Sequence, residues 1–317
     1  LSPTSSGKSC IIYLATRYLV EKGNQVLIVV PTVSLTSQLL KDFVDYGWDA
    51  GEHCHIIRGG AEKVTDKPVV ISTWQSVYKE PKNFFDRFSG CFVDEAHLAT
   101  AVSIKSIMEK MTECPYKIGP TGTIEETKTN KLTLQGLFGK IHTTVSTKEL
   151  MDRNLVADMH IEAITINYPP EERKIISKMK YQDEVKLIVT NDVRNKFVCK
   201  LAQSRAGNTL VLYNFVELHG DPLFKSLCEM NEDGKKQVFF VHGGISADER
   251  EEIRAITESN NNVIVVASYG TFSTGVNIKN LDNVIFAHPY KSKVRNLQSI
   301  GRVLRKATDD AKATLFD

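Results

Sequence analysis

Three clusters in this 317-residue sequence carry residue types suited to handling phosphate. The first is Ser2-Pro3-Thr4-Ser5-Ser6-Gly7-Lys8-Ser9, which opens a helical stretch. Small residues leave successive backbone N–H groups free to wrap β- and γ-phosphates, and a helix N-terminus adds its dipole. Lys8 would supply a point charge, and the Ser9 hydroxyl would reach Mg²⁺. Ser2 stands where the first glycine of G-x-x-x-x-G-K-[ST] belongs, and alone the segment reads equally as an ordinary capped helix. The second cluster, Asp94-Glu95-Ala96-His97, puts two carboxylates at the carboxyl end of an apolar run. In an open α/β sheet ligands bind at that end of the strands. Asp94 there would hold Mg²⁺ through water, and Glu95 would polarise the water that attacks a γ-phosphate. An acidic helix cap is the plainer alternative, but a phosphate loop upstream favours the catalytic reading. The third cluster, Gln298 to Arg305, places Arg302 and Arg305 on one helix face. Permanently charged guanidinium groups suit a transferring phosphoryl group; a solvated basic face is the alternative.

These clusters need a scaffold, and the apolar pattern supplies one. A helical stretch over about 8–21 is followed by the continuous apolar run 25–30, which suits a strand covered on both faces of a parallel sheet. A helix over 34–44, strands near 55–58, 68–72 and 91–93, a helix near 104–111 and a strand at 116–118 complete a βαβ series. Residues 145–170 break the pattern with a short helix and a long alternating stretch, read as the link between lobes. Helical, charged sequence covers 171–205. A second βαβ series follows: strands 209–213, 237–241, 262–267, 284–288 and 313–316, with helices 215–229, 246–258 and 293–305. The fold class is α/β, with two tandem lobes, each a parallel sheet flanked by helices. The predicted domains are 1–155 and 156–317.

Composition narrows the function classes. Forty Lys+Arg against 38 Asp+Glu give a net charge of +2, which argues against a protein that binds nucleic acid by bulk charge. No apolar run has the length of a membrane span, so no membrane partner is expected. Six scattered cysteines without a C-x-x-C pair read as reduced thiols of a cytoplasmic protein. His53-Cys54-His55 is split between two faces by strand alternation, and no second ligand pair follows, so a metal cluster is not expected there. The chain begins at Leu1 directly before the phosphate loop, which reads as the motor core of a longer protein.

Together the motifs resemble superfamily 2 helicases with a DEAH-type motif II, in the family's order and across almost the whole chain. Within that superfamily the strings TWQS, ASYGTFSTG and QSIGRVLRK are most similar to the recombination and repair helicases of T-even-type bacteriophages. Motif I resembles Pro3–Ser9, motif Ia Pro31-Thr32, and the next two motifs Arg58-Gly59-Gly60 and Thr73-Trp74-Gln75. Motif III looks like Thr121-Gly122-Thr123, motif IV ends at Tyr213-Asn214, motif V runs from Ser268 to Asn277, and motif VI from Gln298 to Arg305. Ser5 replaces a common glycine, and Asn277 stands where many relatives carry aspartate.

The resemblance implies two RecA-like domains, an ATP-binding one and a helicase C-terminal one. They would use ATP and Mg²⁺ for strand-dependent hydrolysis. Lys8, Asp94, Glu95, Gln298, Arg302 and Arg305 would be catalytic. Thr4, Ser5, Ser6, Gly7, Lys8, Ser9, Gly275 and Asn277 would bind nucleotide, with Ser9 and Asp94 on the metal. His97, Thr121 and Thr123 would couple the γ-phosphate to the strand. Pro31, Thr32, Arg58, Gly59, Gly60, Thr73, Trp74, Asn214, Ser273 and Thr274 would contact nucleic acid. Small residues after strands leave backbone N–H groups for phosphates. Trp74 either stacks a base or packs at a strand end. The implied protein is a monomeric DNA helicase or translocase remodelling branched DNA or R-loops in phage recombination and repair, in the host cytoplasm. An RNA helicase, a restriction-enzyme motor subunit, and a binding module with a dormant ATPase are the alternatives.

Overall fold

The computed structural model describes residues 1–3, 5–100, 102–124, 128–231, 234–275, 278, 280–289 and 312–317. The chain divides into two compact units, Leu1–Leu150 and Met151–Asp317.

In the first unit, strands β1 (Val26–Val30), β2 (Cys54–Ile57), β3 (Val69–Thr73), β4 (Gly90–Val93) and β5 (Tyr116–Ile118) form one parallel sheet in the order β2-β3-β1-β4-β5. The central run VLIVV lies between β3 and β4, and every residue of it is buried. Alternation sends Leu27 and Val29 to one face, against Ile104, Ile107 and Met108, while Val26, Ile28 and Val30 meet Ile12, Leu19, Leu39 and Phe43 on the other. Each fully buried aliphatic side chain contributes about 1.5–3 kcal/mol. This explains why the sheet's centre is a continuous apolar run. The helix Lys8–Glu21 buries Ile12, Tyr13, Thr16 and Leu19, the one-sided spacing of a helix lying on a sheet.

In the second unit, strands β6 (Asp158–Glu162), β7 (Thr209–Tyr213), β8 (Gln237–Val241), β9 (Val263–Ser268), β10 (Asn283–Phe286) and β11 (Lys312–Phe316) are ordered β6-β11-β10-β7-β9-β8, again all parallel. Leu210 and Leu212 pack to one side and Val211 and Tyr213 to the other. At the amino end of β7 the wholly buried Asn208 fastens three segments. The two Nδ2 protons are shared among Thr257 O at 3.0 Å, Asn260 O at 2.7 Å and Asn280 O at 3.1 Å, and its Oδ1 accepts from Val263 N at 3.0 Å. Satisfying a buried amide this fully turns a polar core residue into a fixed joint.

Two expectations change. The alternating stretch read as a link contains β6, an edge strand paired along its length with β11. The helix expected over 215–229 is a single π-helical turn, Val216–Gly220, followed by the helix Asp221–Met230. Pro222 explains the break, because proline is tolerated in a helix's first turn and not in its interior. The helix expected over 293–305 lies outside the described residues.

Candidate functional site

The phosphate-loop segment is anchored at both ends. Ser2 is buried; its N–H donates to Thr121 O at 2.9 Å, and its hydroxyl is hydrogen-bonded to that of Ser6. Ser6 N also donates to Pro3 O at 3.2 Å, closing the turn. Gly7 then takes φ +81° as N-cap of the Lys8–Glu21 helix, a left-handed conformation that suits glycine. Ser5 has φ +66° at the position where the family commonly has glycine, at a cost of about 1–2 kcal/mol.

β4 delivers the carboxylates. Asp94 N donates to Val29 O at 2.9 Å, carrying the β1–β4 pairing one residue past the strand. Glu95 turns sharply, with φ +52°, and its N–H donates to Asp94 Oδ1 at 2.9 Å. A non-glycine residue held in this region is strained, and such strain collects at functional sites. The turn directs Glu95 to the loop, where its Oε1 accepts from Lys8 Nζ at 3.0 Å. Gly119 permits the next approach: a Cβ there would lie 2.7 Å from Ala96 Cβ. The segment after β5 can therefore close on the acidic turn, and Ala96 N donates to Pro120 O at 3.1 Å.

His97 Nδ1 lies 2.9 Å from Thr121 Oγ1 and 3.2 Å from Glu95 Oε2. Thr121 uses its one hydroxyl proton on Thr123 O, at 2.9 Å. The network therefore assigns the His97 proton to Nδ1, with Thr121 accepting. A continuous chain results: Lys8, Glu95, His97, Thr121, Thr123. Thr123 Oγ1 is buried with no hydrogen-bond partner among the described residues, and Glu95 Oε2, buried too, has only the 3.2 Å contact with His97 Nδ1. Buried oxygens of this kind are usually satisfied by water or a ligand.

The carboxylates are electrostatically unequal. Burial pushes the Asp94 carboxyl up, and the adjacent Glu95 charge adds to the effect, ahead of the opposing pull of Lys8. Burial pushes Glu95 up too, but the His97 hydrogen bond and the Lys8 charge together outweigh it and hold Glu95 well below the usual carboxylate range. Glu95 stays ionised, and Asp94 is the group poised to take a proton or a cation. Asp94 and the Ser9 hydroxyl are hard oxygen donors of the kind Mg²⁺ prefers. Among the described residues no cluster of three or more His, Cys, Asp or Glu could hold a metal ion.

The other predicted positions are more dispersed. Pro31 is buried, and Thr32 spends its hydroxyl capping the Val33–Asp45 helix, accepting from Leu35 N at 3.4 Å. Arg58 is exposed and donates to Ser37 Oγ; Gly59 and Gly60 are exposed, Gly60 with φ +81°. Thr73 is buried with its hydroxyl 3.0 Å from that of Ser76, and Trp74 packs against the first unit's core. Asn214 follows β7, half-buried, and the backbone of Ser273, Thr274 and Gly275 lies in the Tyr269–Gly275 helix. Thr4, Asn277, Gln298, Arg302 and Arg305 lie outside the described residues. Gly119 was missed in the sequence; a glycine directly after a strand was the signal. Four of the six cysteines are buried and all six are free thiols. Among the described residues no helix is long and apolar enough to cross a membrane.

Comparison with known proteins finds relatives by sequence and, separately, neighbours by fold. The family "Type III restriction enzyme, res subunit" matches residues 1–126, and "Helicase conserved C-terminal domain" matches residues 192–307. The ATP-dependent DNA helicase uvsW of Enterobacteria phage T4 is 40% identical over 323 residues, covering 99% of this chain. The chain spans 63% of that relative's length. A fragment reported as an HsdR subunit of a type I restriction enzyme from Vibrio vulnificus YJ016 shares the fold at a TM-score of 0.74 and 18% identity, covering 100% of this chain and 58% of that one. The Pyrococcus furiosus Hef helicase domain does so at 0.65 and 15%, covering 100% and 91%. Two parallel sheets flanked by helices are thus the RecA-like helicase fold. With the two families matched in sequence order and 99% of the chain aligned with part of a phage helicase, the chain is similar in sequence to the superfamily 2 helicases.

Proposed function

We propose that this chain is the ATP-driven motor core of a DNA helicase or translocase. The observation that carries the reading is the chain from Lys8 through Glu95, His97 and Thr121 to Thr123, which ties the phosphate loop, the acidic turn and the segment after β5 into one unit. Lys8 holds the β- and γ-phosphates once nucleotide draws it from Glu95. Glu95, ionised and steered by His97, orients the attacking water, and Thr121 and Thr123 relay the state of the γ-phosphate. Thr4, Ser5, Ser6, Gly7 and Ser9 line the phosphate loop, with Gly275 and Asn277 as further nucleotide contacts. Ser9 and Asp94 would hold Mg²⁺, which supplies charge neutralisation at the phosphates. Gln298, Arg302 and Arg305 take the transition-state charge, as the family resemblance assigns them.

Pro31, Arg58, Gly59, Gly60, Asn214, Ser273 and Thr274 contact the strand. Thr32 and Thr73 join them through their backbones, their hydroxyls being used locally; the packing of Trp74 favours its structural role. Branched DNA or R-loops in phage recombination and repair are the proposed substrates, by analogy with the phage T4 relative. The protein would act as a monomer in the host cytoplasm, with domains at 1–155 and 156–317. A restriction-enzyme motor is the second reading, favoured by the family matched over residues 1–126. ATP turnover by the full-length protein on forks, four-way junctions, R-loops, single strands and RNA tests the proposal. Stimulation by branched DNA above all others is expected; no stimulation by any nucleic acid would overturn it.

A further inference from the structure

The carboxyl end of β7 carries a group of side chains that the phosphate-loop chemistry does not use. His219 sits in the π-helical turn with its ring wholly out of solvent, and neither ring nitrogen has a hydrogen-bond partner among the described residues. Single π turns inside helical segments recur at functional sites. The His219 ring lies 6.2 Å from that of His288, two residues past β10. The Phe215 ring stands edge-on to His288 at 5.3 Å and is itself 40% exposed. Arg194, in the first turn of the Asp192–Ser204 helix, is near enough for its charge to act on both imidazoles. Its Nη1 is buried without a partner, and no ion pair to a carboxylate is made by it among the described residues. Burial first, and the Arg194 charge second, push both imidazoles well down, so Arg194 is the group's single cation at neutral pH.

A guanidinium drawn partly out of water without a counter-charge costs free energy, and a carboxylate in any neighbouring position would have offset it. Among the described residues neutral histidines stand there instead. Such a cation is preorganised for an external oxyanion: part of its desolvation is complete before binding, and its planar fork matches phosphate geometry. Ligands of a parallel sheet meet the carboxyl ends of its strands, which is where Asn214, Phe215 and His288 lie. An exposed aromatic beside a cation is also the pairing that single-strand binding surfaces use, the ring for a base and the charge for the backbone.

We propose that Arg194 receives one backbone phosphate of a nucleic-acid strand at the carboxyl end of β7, with the adjoining base stacked on Phe215. His219 and His288 are positioning residues that leave Arg194 without a carboxylate among the described residues. The inference rests on the nucleic-acid reading above and adds a contact to it.

Fluorescence anisotropy of labelled oligo-dT against the full-length protein, across a salt series, tests it. Arg194→Gln should weaken binding about tenfold or more and make the log–log salt dependence shallower by about 0.7. Phe215→Ala should weaken binding by a similar factor without altering that slope. Arg194→Lys keeps the charge and covers the case in which Gln disturbs the fold; it should bind more weakly at the wild-type slope. Thermal melts of each variant check folding. Wild-type affinity and slope in Arg194→Gln would overturn the assignment. So would competition by inorganic phosphate at concentrations too low to act through ionic strength, which would mark a free-phosphate site. If the wild-type protein binds no strand at all, the broader functional reading fails instead, so the two failures are distinguishable.

Discussion

Replacing His219 with phenylalanine should remove about half of the acid sensitivity that buried histidines give the second unit. His219 is wholly buried and His288 nearly so; burial, then the Arg194 charge, hold them at about 3 and about 4. In the unfolded chain each ring takes a proton near 6.5. As pH falls below that value the unfolded state gains a proton the native state refuses, so stability present at neutral pH is lost. Between pH 7.5 and pH 5 each histidine costs about 2 kcal/mol, so the pair costs about 4 kcal/mol in the wild type and about 2 kcal/mol in the variant. At pH 7.5 the substitution should be near neutral, because it removes two unsatisfied buried nitrogens while keeping a ring of similar shape. The assay can separate the two units. Both tryptophans, Trp48 and Trp74, lie in the first, so urea unfolding followed by tryptophan fluorescence reports that unit and far-UV circular dichroism reports both. The variant should narrow the pH dependence only of the transition that fluorescence does not see. An unchanged pH dependence in His219→Phe, or a wild-type loss below about 1 kcal/mol, would refute the reasoning.

Three further substitutions probe the first unit and the arginine face. Thr121→Val removes the acceptor of His97 and the donor to Thr123 O, so strand-stimulated ATP turnover should fall further than strand-free turnover; an equal fall would show that Thr121 does not couple. Gly119→Ala forces a Cβ within 2.7 Å of Ala96 Cβ and should cost about 1–3 kcal/mol by urea unfolding, with loss of turnover because the acidic turn is displaced. Wild-type stability there would contradict the close packing. Arg305→Ala should cut turnover strongly while nucleotide binding, measured by equilibrium titration, survives. A matching loss of affinity would mean that the arginine binds the ground state.

Much of this was legible in the sequence where burial alone decides the structure. The run VLIVV must be a doubly covered strand, and the apolar residues before Asp94 must place both carboxylates at a strand's carboxyl end. What stayed hidden depends on partners far along the chain. β6 is an edge strand whose residues are mostly exposed, so nothing in DMHIE demands a sheet; its partner β11 lies some 150 residues on. The left-handed turn of Glu95 is invisible in a residue type that rarely adopts it, and only the approach of Lys8 and His97 makes sense of it. Ser5 adopts the glycine conformation without being glycine. The Arg194 group draws on three separate elements, and no short motif announces it.

The central claim is that Lys8 and the Glu95 network form an ATP-hydrolysing site. Single-turnover ATP hydrolysis by Lys8→Ala, with saturating single-stranded DNA and alongside the wild type, tests it most directly. Hydrolysis should fall to background while the variant still binds the strand. Turnover at the wild-type rate would contradict the account.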